Sequence, residues 1–246
     1  MRINKDYHIH SKYSKNGHCK SEIETIVQKA IGEGLDEIAI SDHGIKHVLY
    51  GTSEKNLIKA KNEIRILNDK YKNINIKLGI EANLLSFDGL TDISDLVAEN
   101  CEVIQMGIHY GVVFRGIRGF VEFFLLNFLS KFIPQVRQYM IRRNTDAMIK
   151  AMDKYNIDII THPGDKIPVD IDRLSRKAEE TNTMLEINNS HKHLTTEEIT
   201  IASQYGVKFI IGSDSHDYEN IGKFEDSLDR VIKAGLRADR VENLEV

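Results

Sequence analysis

His8 and His10 lie two residues apart in Asp6-Tyr7-His8-Ile9-His10-Ser11, and theirs is the first spacing in the chain that suits chemistry. The run reads as a short strand, in which residues i and i+2 point to one face. Two imidazoles then converge on a single point, as a metal site requires; the plain alternative is a polar pair on a solvated strand face. Similar groups recur downstream: Ser41-Asp42-His43, Gly79-Ile80-Glu81, Gly107-Ile108-His109, Thr161-His162-Pro163-Gly164, Glu186-Ile187-Asn188-Asn189 and Gly212-Ser213-Asp214-Ser215-His216. Each falls at or near the end of a short apolar, β-branched run. Ten histidines scattered at random would rarely gather at such positions. Asp42 cannot share the direction of its neighbour His43 in an extended strand, so it is expected to orient a ligand imidazole rather than to ligate. His47 is expected on a loop, and His191 and His193 at the rim of a site, with His191 reaching substrate.

The runs that must position these residues are Lys5–His10, Glu37–Ser41, Asn75–Ala82, Val103–His109, Asp158–Thr161, Met184–Asn188 and Lys208–Gly212. Amphipathic stretches of helical length separate them. Two of these open on a Ser/Thr-x-x-Glu capping box, Ser21 to Glu24 and Thr195 to Glu198. Strands alternating with helices imply a parallel sheet with right-handed crossovers. Seven units suggest a distorted (βα)7 TIM-like barrel, the structural alternative being an open doubly wound sheet. In such a barrel the carboxyl ends of the strands share one face, so all the motifs would meet in one bowl.

Composition narrows the function. A chain of 246 residues with 41% hydrophobic content can bury a substantial core as one domain spanning residues 1–246. Its net charge of −4 attracts neither nucleic acid nor anionic membrane. The two cysteines, Cys19 and Cys101, form no CxxC, and neither is followed by arginine at the Cys-x5-Arg spacing of thiolate phosphatases. No apolar leader opens the chain, so a cytoplasmic location is expected. There is no G-x-S-x-G elbow or Walker A run.

The set DYHIHS, SDHG, GIE, GIHY, THPG, EINNS and GSDSH resembles the motif series of the PHP (polymerase and histidinol phosphatase) family, in particular its single-domain bacterial phosphatases, over almost the whole chain. The resemblance implies a seven-stranded barrel, a trinuclear metal centre at its C-terminal face and hydrolysis of phosphate esters. Carried over by position, it implies metal ligation by His8, His10, His18, His43, Glu81, His109, His162, Asp214 and His216. His18 sits on a looser Lys/Asn/Gly loop than the family motif usually provides. Seven imidazoles and two carboxylates suit zinc first, with manganese or iron as alternatives, and a magnesium-only site would want mostly oxygen. Glu81 would bridge two ions that hold a hydroxide nucleophile, and Asp214 would ligate and orient the attacking water. The expected substrate is a small phosphomonoester such as histidinol phosphate, a sugar phosphate or a nucleotide. Alternatives are a nuclease or phosphodiesterase acting on nucleic acid, a non-catalytic scaffold, and an amidohydrolase, which would have no need of Glu81.

Residues 111–143 are the part this resemblance explains least. They hold six of nine phenylalanines and six Lys/Arg against one Glu. The apolar run from Phe120 to Ile133 is too short to span a bilayer, which needs about 20 residues. Two readings stand: a helix packed on the barrel, or a hydrophobic and basic insertion that lids the site or meets a second copy of the chain. In the second, Arg115 and Arg118 grip substrate phosphate.

Overall fold

The computed structural model describes residues 1–246. Seven strands alternate with helices: β1 (Lys5–Ile9), α1 (Ile23–Gly32), β2 (Glu37–Ile40), α2 (Glu54–Lys70), β3 (Asn75–Asn83), α3 (Asp95–Asn100), β4 (Val103–Gly107), α4 (Pro134–Lys154), β5 (Ile159–Ile160), α5 (Ile171–Thr181), β6 (Met184–Asn188), α6 (Thr196–Ala202), β7 (Phe209–Gly212) and α7 (Glu225–Lys233). All seven strands run parallel in sequence order, as the alternation predicts. The sheet closes where β1 meets the residues after β7: His10 N donates to Ser215 O at 2.9 Å, and Ser215 N to His8 O at 3.1 Å. The result is a (βα)7 barrel rather than an open sheet.

Side-chain alternation explains the layering. Isoleucines such as Ile38, Ile40, Ile76 and Ile80 join the helices in the main core. Tyr7, Ala39, Val103, Ile159 and Ile210 form a separate small cluster. They come from strands that are not all neighbours, so they meet only inside the barrel. Tyr7 belongs to this inner cluster and Ile9 to the outer core, although regular pleating would put both on one face. A register shift between Asp6 and Ile9 in the pairing with β2 resolves this, and such irregularities re-aim side chains beside sites.

The helix starts are partly as expected. Thr195 completes its capping box with Glu198. Ser21 does not cap α1: the helix begins after Glu22 with no side-chain cap, and the Ser21 hydroxyl instead accepts from Tyr218 N at 3.1 Å.

Residues 111–143 pack in part on the barrel, as the first reading expects, and in part face solvent. Phe114 and Phe123 are buried and stack at 4.4 Å between ring centroids, with Phe87 edge-on to Phe114 at 4.9 Å. Ile117, Phe128 and Phe132 remain exposed. Helical residues 117–129, which include a π-turn, stop before Pro134, and Pro134 starts α4 at a position where its missing N–H costs nothing. No helix is long and apolar enough to cross a membrane.

Candidate metal centre

Glu81, near the carboxyl end of β3, is fully buried, and the site is built around it. Its Oε2 lies 2.7 Å from His43 Nδ1, 3.6 Å from His8 Nε2 and 4.0 Å from His10 Nε2. Its Oε1 lies 3.1 Å from His109 Nε2 and 3.0 Å from His162 Nε2, and accepts from Thr161 Oγ1 at 2.9 Å. The two oxygens therefore face two different sets of imidazoles. Asp214 forms the other pole: Oδ1 stands 3.2 Å from His10 Nε2 and 3.4 Å from His8 Nε2, and Oδ2 stands 3.1 Å from His191 Nε2.

All nine residues implied as ligands come together at this face. His18, on the looser loop, reaches it: its ring stacks on Tyr50 at 3.8 Å, and its Nε2 lies 3.2 Å from His43 Nε2. His216 points a nitrogen back to its own strand end, Nδ1 to Asp214 O at 3.0 Å, and packs on the His10 ring at 4.2 Å. His47 is on a loop as expected but is buried, stacked on His43 at 5.0 Å.

The donor set has the character of a metal site. His8 Nε2, His10 Nδ1, His43 Nδ1 and Glu81 Oε2 are buried without a hydrogen-bond partner, an arrangement natural proteins avoid unless something else satisfies the atoms. His43 Nδ1 and Glu81 Oε2 are close but misaligned for a hydrogen bond. Groups able to hold an ion together include His8, His10 and Glu81; His43, Glu81 and His109; His10, His43 and His216; and His162, His191 and Asp214. Sets of two imidazoles with a carboxylate, beside one of three imidazoles, match the nitrogen-rich ligation of zinc, manganese or iron.

Electrostatics prepares the ligands. Burial, reinforced by neighbouring imidazoles, pushes His10 well below the usual histidine range and His18 to about 4. Burial pushes His109 to about 4 as well, against the pull of Glu81. These rings are neutral at pH 7, the form that binds metal. Burial alone would raise Glu81, but His109, His8 and His43 hold it well below the usual carboxylate range. His8 differs: burial disfavours its charge, yet Asp214, Glu186 and Glu81 together hold it well above the usual range, so metal binding there would displace a proton.

Residues behind the cluster aim it. Glu186 Oε1 takes His8 Nδ1 at 2.7 Å, and its Oε2 accepts from His162 N at 2.8 Å. Asn83 Oδ1 sits 2.8 Å from His109 Nδ1, and Asn83 is itself gripped by Asp92. Such contacts fix which ring nitrogen faces the metal. Sequence reasoning assigned neither role; the signals were Asn83 at i+2 from Glu81 on one strand and Glu186 inside the motif of β6. Asp42 does not orient an imidazole. It accepts from Ser11 N, Ser11 Oγ and Ser14 Oγ at 2.8, 2.6 and 2.5 Å, and so shapes the loop that carries His18.

His162 and Asp214 have φ of 30° and 52°, a region costly for residues with a Cβ and tolerated where the surroundings hold it. Gly107 meets the opposite demand: a Cβ there would lie 2.5 Å from Thr161 Oγ1, 2.9 Å from His109 Cε1 and 3.0 Å from Glu81 Oε1. Gly107→Ala is expected to lose about 1–3 kcal/mol of stability through overpacking and most of the metal affinity; thermal melts and elemental analysis check both.

Above the cluster lies a cavity of about 380 Å³, lined among others by His18, His47, Tyr50, Tyr110, Lys166 and His191, a size that suits a small ligand. Arg115 and Arg118 do not line it. Arg118 is 93% exposed and pairs with Glu122 at 2.6 Å, one helical turn away, and Arg115 is exposed. The cation at the bowl is Lys166, which nothing in the sequence singles out.

Comparison with known proteins agrees with this geometry. The chain is 28% identical over its full length to a probable phosphatase of Thermoanaerobacter sp. (strain X514), covering 92% of that protein. It is 27% identical to the DNA polymerase/3'-5' exonuclease PolX of Bacillus subtilis (strain 168), covering 98% of this chain but 39% of that one. The fold matches histidinol phosphate phosphatase from Lactococcus lactis, solved with zinc, L-histidinol and phosphate, at a TM-score of 0.66 and 16% identity, covering 96% of this chain and 95% of that one. The PHP domain model matches residues 6–244, and the chain belongs to the PHP domain family.

Proposed function

We propose that this protein is a metal-dependent phosphatase that hydrolyses phosphate monoesters of a small metabolite. The observation that carries the reading is buried Glu81, whose two oxygens face separate imidazole sets among orphaned ring nitrogens. The relatives named as phosphatases and the fold neighbour solved with zinc and phosphate support it. His8, His10, His18, His43, Glu81, His109, His162, Asp214 and His216 would hold up to three ions. When bound, divalent ions supply Lewis-acid neutralisation of phosphoryl charge and make water ionise near neutral pH.

The protein's own groups do the rest. Glu81 keeps the two imidazole sets in register. Asp214, fixed by Asn188 Nδ2 at 3.3 Å and by the ring of His191, accepts a hydrogen bond from the attacking water and orients it. His191 is held between Asp165 and Asp214 at 3.3 and 3.1 Å, one carboxylate to each ring nitrogen, and Lys166 faces the bowl and donates to phosphate oxygens.

The test is hydrolysis of p-nitrophenyl phosphate by purified protein of measured metal content, with a single-stranded oligonucleotide as the control prompted by the exonuclease match. Phosphate release that chelator abolishes and zinc or manganese restores supports the reading. Activity on the oligonucleotide alone would make the chain a nuclease, and no activity on either substrate with metal loaded would remove the proposal.

A further inference from the structure

Beside the metal bowl, and sharing Lys166 with it, lies a second cavity of about 220 Å³. Three separate segments build its wall: Ser130 and Lys131 with Arg137 in the first turn of α4, Gly164 and Lys166 after β5, and His193 with Glu198 around the start of α6. Three cations, Lys131, Arg137 and Lys166, thus stand against one carboxylate. That carboxylate is engaged elsewhere: Glu198 Oε2 lies 3.2 Å from His193 Nδ1 and accepts from Thr195 N at 2.7 Å. Lys166 has Asp165 at 3.6 Å, but no carboxylate lies within 4.0 Å of Lys131 or Arg137. Arg118, Arg143 and Arg173, by contrast, all have acidic partners. In a concave wall, unpaired like charges focus one sign of potential and draw in an ion of the other sign.

The backbone beside this cavity is held in constrained conformations. Lys166 holds φ at 62°, with Tyr110 Oη donating to its carbonyl at 3.1 Å and Ile167 N donating to Asp165 O at 2.7 Å. A non-glycine residue stays in that region where its surroundings enforce it. Gly164 has φ 95°, and a Cβ there would come 3.0 Å from His193 Nδ1.

We infer that this cavity binds a second anionic group of the substrate, a phosphate or a carboxylate, apart from the phosphate being hydrolysed. The inference rests on the phosphatase reading and narrows it: the preferred substrates are small metabolites anionic at two ends, bisphosphates or phosphorylated carboxylic acids. Lys166, common to both cavities, stands between the two anionic groups.

Matched substrate pairs test this: fructose 1,6-bisphosphate against fructose 6-phosphate, and 3-phosphoglycerate against glycerol 3-phosphate. The first pair reads a second phosphate and the second a carboxylate. The wild-type protein is expected to show a KM about tenfold lower for the doubly anionic member of at least one pair. The Lys131→Ala/Arg137→Ala double variant is expected to lose that preference while hydrolysing p-nitrophenyl phosphate as wild type does. Equal KM values within both wild-type pairs, or a preference that survives in the double variant, would overturn the inference. If the metal-loaded protein hydrolyses none of these esters, the phosphatase reading fails, and calorimetry of fructose 1,6-bisphosphate binding to metal-free protein decides the subsite. Weaker binding by the double variant supports the subsite, and equal affinity removes it.

Discussion

Glu81→Gln is expected to release at least one metal ion per chain and to lower turnover of p-nitrophenyl phosphate by about a thousandfold or more, roughly 4 kcal/mol of transition-state stabilisation. The substitution keeps the side chain's size and removes its charge, so the barrel has no new cavity to absorb. What changes is the group that lies within 4.0 Å of five imidazoles, those of His8, His10, His43, His109 and His162. An amide offers one oxygen and one nitrogen bearing two N–H bonds, so it cannot face electron pairs toward both sets at once. Asn83→Ala acts one step further out by freeing the His109 ring, and its expected loss of metal affinity is about 10–100-fold. Elemental analysis and steady-state rates, with circular dichroism to verify folding, separate the two. A Glu81→Gln protein with full metal content and activity within tenfold of wild type would show that this carboxylate is not the centre of the site.

Removing the metal from the wild-type protein is expected to lower its melting temperature by roughly 10 °C. An ion present at about a thousand times its dissociation constant stabilises the folded state by about 4 kcal/mol, and a domain of this size shifts by about 2–4 °C per kcal/mol. Without metal the orphaned nitrogens of His8, His10 and His43 stay buried with nothing to satisfy them. The metal-free form is also expected to be acid-sensitive. His18 and His109 are held at about 4 in the folded state, below the usual value of about 6.5 for an exposed histidine. Between those limits the unfolded chain binds protons that the folded one refuses, so stability falls as pH falls from about 6.5 toward 4. Scanning calorimetry with and without chelator, repeated across that range, measures both effects. Coincident melts with and without chelator would contradict the fit between the cluster and a metal.

The strands were legible because each is a short β-branched run that ends at a polar motif, and the ligand constellation because parallel strands place those ends on one face. The supporting contacts were harder to read. Asp42 sits next to His43 in sequence, yet its hydrogen bonds go to Ser11 and Ser14, about thirty positions away. The expectation for Arg118 rested on the net charge of residues 111–143, but charge does not say where a side chain points, and Glu122 four residues later was the better guide. Lys166 left no periodic signal, because its position follows from a left-handed loop conformation.

The closing seam of the barrel sets the order in which the molecule can mature. It joins His8 and His10 to Ser215, more than two hundred residues apart, and at its other end the Asn243 amide donates to Lys5 O at 2.7 Å and Ile211 O at 2.8 Å. Contacts so distant along the chain form slowly, since a long loop must close before they contribute. His8 and His10 leave the ribosome long before Asp214 and His216, which complete their surroundings. A metal held by this cluster would therefore be loaded only after the seam closes, and a nascent chain that stops short of β7 would carry the first histidines without the carboxylate that faces them.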